Sequence, residues 1–238
     1  MSFNFPEGEV LLLDKPVEWT SFDVVNLLRS FLLKVYHLKK LKVGHAGTLD
    51  PMADGLLIIC TGKMTKQIDS YQGMDKVYVG RMQMGATTPS FDVETEIDNQ
   101  FDISGITREI LENASKKFLG EIKQVPPIYS AIKVKGQRAY LYARNNNELK
   151  LKSRDVIIHE FKILNFEPPF VDFSVKCSKG TYIRALVRDF GESLSNGAFL
   201  TSLKRTQIGD YKLTSAWTID AFKEEILRQT GFQNSISK

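Results

Sequence analysis

Three histidines and two cysteines in 238 residues leave little material for metal or disulfide chemistry. Cys60 and Cys177 each lie inside an apolar run with no CxxC spacing and no histidine partner nearby. Neither a disulfide framework nor a zinc site is expected, and both thiols read as core. His37, His45 and His159 show no metal-ligand spacing, so the expectation is no metal. No run reaches the roughly 18 to 20 apolar residues of a membrane-spanning helix. The opening MSFNFPEGE lacks the basic and apolar regions of a secretory signal, and a cytoplasmic location with no membrane attachment is expected. Repeats and low-complexity linkers are missing too, so one compact unit spanning 1–238 is the simplest organisation. Gly62-Lys63 resembles part of a phosphate loop, but Gly55 is too distant and Met64 stands where Ser or Thr is required. That excludes a nucleotide triphosphate site.

What is present is an ordinary globular composition, 42% hydrophobic and 25% charged. A net charge of +4 is compatible with a polyanionic partner without demanding one. Glu9 to Asp14 reads as a short buried strand. Thr20 and Asp23 form a capping box opening a helix whose buried stripe is Val24, Val25, Leu28, Phe31, Leu32 and Val35. Leu56 to Cys60 is a second buried strand, followed by a helix through Met64, Ile68 and Tyr71. In the strand Lys76 to Met84, the two-residue period puts Tyr78 on one face with Met82 and Met84. Asp92, Glu94, Glu96 and Asp98 read as an acidic, exposed connection before a helix near Thr107 to Phe118. Val156 to Phe166 and Val171 to Cys177 read as a hairpin. After Gly180 a helix buries Ile183, Leu186, Val187 and Phe190, with Arg184 and Arg188 sharing its other side. A last strand pair around Gly209 and a helix from Thr218 to Leu227 complete the chain.

Two stretches carry chemistry. From Gln124 to Arg154, Lys133, Lys135, Arg138, Arg144, Lys150 and Lys152 interleave with Tyr129, Tyr140 and Tyr142. The pattern suits either a nucleic-acid surface, where cations neutralise phosphates and rings stack on bases, or an exposed arm. From Gly44 to Lys66, glycines, His45, Asp50, Pro51 and Asp54 precede an apolar run. Asp before Pro is a turn and cap residue as well as a possible carboxylate nucleophile. Asp50 and Asp54 together also fit the paired acids of a glycosidase, although their spacing establishes neither the separation nor the raised pKa which that mechanism needs.

The segment Gly44-His-Ala-Gly-Thr-Leu-Asp50-Pro, with Asp54-Gly-Leu after it, resembles the catalytic motif of the TruB-type tRNA pseudouridine-55 synthases. The resemblance extends through Asp14-Lys-Pro16, Thr20-Ser21, Lys76-Val-Tyr78, Val125-Pro-Pro-Ile-Tyr-Ser-Ala131, Gly180-Thr-Tyr-Ile-Arg184 and Leu203-Lys-Arg205, in order. It implies an α+β pseudouridine synthase fold, a curved mixed and mainly antiparallel sheet flanked by helices, with a central active cleft. The implied reaction isomerises the T-loop uridine of tRNA to pseudouridine and requires no cofactor. By the same resemblance Asp50 is the nucleophile, Arg184 its ion-pair partner, and Tyr78 stacks on the target base. Tyr182 and Leu203 line the uridine pocket, His45 occupies space left by the flipped nucleotide, and Lys63 and Lys66 contact phosphates. The 124–154 stretch becomes an RNA-contacting insertion that closes over the T-arm. With no separate C-terminal RNA-binding domain expected, docking rests on the catalytic domain of a monomer. Glu18 stands where the family has glycine, and Ala185 where threonine is common. The competing readings are a noncatalytic RNA-binding or tRNA-folding protein, and a nucleoside hydrolase using Asp50 and Asp54.

Overall fold

The computed structural model describes residues 3–129, 133–134, 137–138 and 151–232. In chain order the elements are β1 (Val10–Lys15), α1 (Ser21–Val35), β2 (Val43–His45), β3 (Ala53–Thr61), a 3-10 turn (Gly62–Gln67), α2 (Ile68–Gly73) and β4 (Lys76–Met84). There follow β5 (Ala86–Thr87), β6 (Asn99–Gln100), α3 (Arg108–Lys116), β7 (Gly120–Gln124), β8 (Lys133–Val134) and β9 (Gln137–Arg138). The chain ends with β10 (Arg154–Glu167), β11 (Phe170–Cys177), α4 (Ile183–Ser193), β12 (Ala198–Ile208), β13 (Tyr211–Lys212), β14 (Trp217–Thr218) and α5 (Ile219–Thr230). Among the described residues no helix is long and apolar enough to cross a membrane. Most of the basic stretch expected to contact RNA lies outside the described residues.

Residue contacts group the chain into two compact units. The first comprises Met1–Lys76 with Lys204–Lys238, and the second Val77–Leu203.

In the first unit β3 is the organising strand. It pairs antiparallel with β1 from Val10↔Cys60 to Lys15↔Gly55 and with β2 from Val43↔Thr61 to His45↔Ile59, while β14 joins β1 in parallel. Both faces of β3 are covered, which explains its unbroken apolar run. Leu57 and Ile59 face a core built from Leu11, Leu13 and the buried sides of α1 and α5, whereas Leu56, Ile58 and Cys60 face a smaller core with Ala46, Tyr71 and Ile208. Burial pushes the Cys60 thiol up to about 11, as expected of a core cysteine. Helix α1 begins with the expected capping box: Asp23 N–H donates to Thr20 Oγ1 at 3.1 Å, and Thr20 N–H donates to Asp23 Oδ2 at 2.9 Å. It buries Val24, Val25, Leu28, Leu32 and Val35, with Phe31 only partly covered.

In the second unit the strand order is β12, β4, β11, β10, β7, with β10 antiparallel to both β11 and β7. Tyr78, Met82 and Met84 share the buried face of β4, as the two-residue period predicts. β10 does not keep one period. Its buried positions are Val156 and Ile158, then Phe161 and Ile163, because a register shift between Ile158 and Glu160 inserts His159 as an extra residue. The bulge swaps the inward parity from even to odd and aims Phe161 at Phe118, Phe173 and Phe190, ring centroids 5.3 to 6.3 Å away.

One of the two residues that depart from the resembled motifs, Glu18, has a structural consequence. Glu18 sits at φ 70°, a left-handed conformation natural to glycine, and its amide donates to Pro51 O at 2.7 Å. Relief of that strain outweighs the extra unfolded-chain entropy of glycine, so Glu18→Gly should stabilise the protein by roughly 0.5 kcal/mol. Urea unfolding is the check, and a loss of stability would contradict the strain.

Candidate active-site residues

The first unit holds His45, Asp50, Lys63 and Lys66 of the expected site residues, and the second holds Tyr78, Tyr182, Arg184 and Leu203. Each group is built differently.

Asp50 lies in the connection between β2 and β3, partly exposed, at the start of a turn closed by Ala53 N–H donating to Asp50 O at 3.1 Å. Pro51 occupies the second turn position, where its fixed φ favours the bend. The backbone around Asp50 is held from three sides. Ser21, buried at the start of α1, takes the Leu49 amide on its hydroxyl at 2.8 Å and donates back to Leu49 O at 3.3 Å. Glu18 N–H donates to the Pro51 carbonyl. Arg205, 1% exposed, donates Nε to Leu56 O at 2.8 Å, Nη2 to Gly47 O at 3.0 Å and Nη1 to Thr48 O at 3.5 Å.

Charge in this unit is dense. The fully buried Lys15 gives its ammonium protons to Pro16 O at 2.8 Å and Trp19 O at 2.6 Å. Burial lowers its pKa to about 8 against the opposing pull of Asp54 and Asp50. Asp54 pairs with Lys204 at 2.8 Å. His45 is half-buried, and its pKa is lowered from 6.5, first by burial and then by the Arg205 charge, against an opposing backbone hydrogen bond to Gly47. Lys63 is exposed and paired with Glu7 at 2.6 Å, and Lys66 is exposed in the last turn of the 3-10 segment.

In the second unit Tyr182 caps α4 and Arg184 lies in its first turn. Gly180, at φ 80°, turns the chain into the helix. The side chain of buried Gln124 grips the Tyr182 backbone in both directions, accepting from its amide at 2.8 Å and donating to its carbonyl at 3.1 Å. The Arg154 guanidinium stacks over the Tyr182 ring, 5.6 Å from its centroid. Tyr78 and Leu203, on β4 and β12, are 8% and 7% exposed, so each shows only a sliver of surface.

Arg184 and Arg188 do not share a common environment, despite their spacing. Arg184 is buried, with Nη1 3.2 Å from Asp92 Oδ2 and also donating to Ser90 O, and with Nη2 donating to Tyr129 O at 2.8 Å. Arg188 remains partly exposed against Asp189 and lies 4.7 Å from the Phe91 ring. Asp92 therefore corrects the sequence reading. It is not part of a solvated acidic connection but 2% exposed, folded inward by a tight loop. Phe91 adopts φ 63°, Thr88 Oγ1 donates to Asp92 O at 2.7 Å, and Asp92 Oδ1 accepts from Glu94 N–H at 2.9 Å. Composition around Asp92 gave no sign of this. Gln124 and the roles of Ser21 and Arg205, both of which stand in the quoted motifs, escaped the sequence because their partners lie far along the chain.

Residues 34–183 match the family described as TruB family pseudouridylate synthase (N terminal domain), well over half of the chain. The chain belongs to this family. It is 51% identical over 226 residues to a tRNA pseudouridine synthase B of Phocaeicola vulgatus, covering 95% of this chain and 96% of the relative. It is 52% identical over 224 residues to a tRNA pseudouridine synthase B of Flavobacterium johnsoniae, covering 94% and 98%. Among solved structures it resembles a chain in a crystal structure of a Cbf5-Nop10-Gar1 complex, with TM-score 0.71 and 27% identity over 96% of this chain. It spans 58% of that longer chain. The likeness supports the pseudouridine synthase fold expected from the motifs.

Two outcomes check the geometry. Asp92→Ala removes one partner of a buried ion pair and should cost about 3 kcal/mol in denaturant unfolding; a loss below about 1 kcal/mol would contradict the pairing. The depressed pKa of His45 means that the unfolded chain takes up this proton first as pH falls. Stability present above about 6.5 is lost as pH drops through the folded pKa. His45→Gln should therefore flatten the fall in stability between about pH 7 and pH 5, and a slope identical to wild type would contradict the burial.

Proposed function

We propose that this chain isomerises uridine to pseudouridine in the T-loop of tRNA, at position 55, with Asp50 as the nucleophile. The observation that carries the reading is the Asp50 turn: a carboxylate in the family's motif, held by Ser21, Glu18 and Arg205, in a chain about 50% identical to relatives named tRNA pseudouridine synthase B. In the reaction the N1–C1′ bond breaks, the base turns and C5 bonds to C1′. N1 gains a proton and the C5 proton passes to solvent, so nothing is released from the RNA and no redox partner or cofactor is called for.

The roles follow from chemistry. A carboxylate can add to the base at C6 or to the sugar at C1′. The Arg184 guanidinium, with its rigid planar fork, suits the task of holding and aiming the Asp50 carboxylate, and Asp92 suits that of fixing Arg184 in turn. Tyr78 supplies a face for the extruded base and a hydroxyl for the C5 proton, Tyr182 and Leu203 close the uridine pocket, and His45 occupies the gap in the loop. Extrusion costs a few kcal/mol, which stacking surfaces of this kind offset. Lys63 and Lys66 contribute to phosphate binding, as does the basic 124–154 stretch. The working form is a monomer in the cytoplasm.

Asp50→Asn separates this reading from a noncatalytic RNA-binding protein. With tRNA carrying tritium at uridine C5, the variant should lose tritium release by at least about 10³-fold while its tRNA Kd stays within about threefold of wild type. Unchanged release would overturn the nucleophile assignment. Appearance of free uracil with the wild-type chain would favour a hydrolase instead.

A further inference from the structure

The first unit buries a guanidinium to which the proposed chemistry gives no contact with the substrate. Arg205 reaches across the base of the Asp50 connection and binds both of its arms, Gly47 and Thr48 on the way in and Leu56 on the way out. The approach is too close for any other side chain at the exit: a Cβ on Gly55, which adopts φ 103°, would lie 2.4 Å from Arg205 O and 2.8 Å from Arg205 N. The backbone of β12 is thus pressed against the end of the connection while its side chain spans the opening. Among the described residues no carboxylate pairs with Arg205, and its acceptors are the neutral carbonyls of Gly47, Thr48 and Leu56. Desolvating a guanidinium for neutral acceptors is a costly way to tether a loop, since neutral donors would satisfy the same oxygens. What a guanidinium offers over an ammonium or an amide is a rigid planar fork that fixes several acceptors at set angles.

We propose that Arg205 is a positioning residue for the isomerisation: by clamping the Gly47, Thr48 and Leu56 carbonyls it sets the angle at which the intervening turn presents Asp50. The proposal rests on Asp50 being the nucleophile. Displacing a reacting group by about 1 Å can cost on the order of 10²-fold in rate, so loss of one arm of the fork is enough to register. The charge is also felt nearby, because Arg205 is among the groups that lower the pKa of His45 and of Lys15.

The test uses the full chain and an unmodified tRNA transcript under single-turnover conditions with enzyme in excess, comparing wild type with Arg205→Lys, Arg205→Gln and Asp50→Asn. Lysine keeps the charge and loses the fork; glutamine keeps a planar donor pair and loses the charge and one arm. Rates are taken per folded molecule, with the folded fraction read from the cooperative unfolding transition, and amide hydrogen exchange is followed in parallel. Both Arg205 variants are expected to slow the isomerisation step at least about tenfold, with tRNA Kd within about threefold of wild type. Faster exchange should be confined to residues 47–56. Full rate in either folded variant would overturn the proposal. So would a rate loss accounted for by weaker tRNA binding, or the absence of a cooperative transition in both variants, which would make Arg205 a general core residue. Turnover by Asp50→Asn overturns the nucleophile assignment itself, and is told apart from failure of the Arg205 proposal by which variant keeps its rate.

Discussion

A partly exposed carboxylate can be aimed only if the backbone beneath it is still, and the backbone of the Asp50 turn is held by groups that the turn itself does not contain. Ser21 arrives from the start of α1, the Glu18 amide from the preceding loop, and the Arg205 guanidinium from β12. Buried amides and carbonyls must find partners, and here each partner comes from a different element. The rest of the first unit follows from this need. β3 is buried on both faces: α1 and α5 cover one face of it while α2 and the β12–β13 end cover the other. Glu18 tolerates a left-handed backbone so that its amide points at Pro51.

The second unit solves a related problem with charge. Arg184 is buried among Asp92, Ser90 O and Tyr129 O, and a guanidinium so placed keeps one orientation. The loop that carries Asp92 is itself tightly hydrogen-bonded, with Ser90, Thr95 and Thr88 satisfying its interior. Gln124 fixes the backbone at Tyr182 in the same spirit: one side-chain amide satisfies both polar groups of a single residue at the point where the helix begins.

The sequence was most legible where structure is local. The Thr20–Asp23 capping box, the stripe of α1, the alternation of β4 that buries Tyr78 and the apolar run of β3 were readable because each depends on residues a few positions apart. The β10 bulge at His159 was hidden, since one extra residue shifts the inward parity without changing composition. Asp92 was misread because three neighbouring acids made it look solvated, when a left-handed Phe91 folds it inward. Arg184 and Arg188 looked equivalent by spacing and differ in what lies opposite them. For the candidate site, the motif at Asp50 was visible and its supports were not, since Arg205 binds carbonyls 149 to 158 residues earlier in the chain.

The central claim is that this fold, through Asp50, rearranges one uridine of tRNA without releasing anything from it. Incubation of the full chain with an unmodified tRNA transcript, followed by carbodiimide labelling and site-by-site mapping, tests it most directly. The account predicts a single new pseudouridine at the T-loop uridine, in RNA of unchanged mass. A transcript that gains no pseudouridine in its T-loop would contradict it.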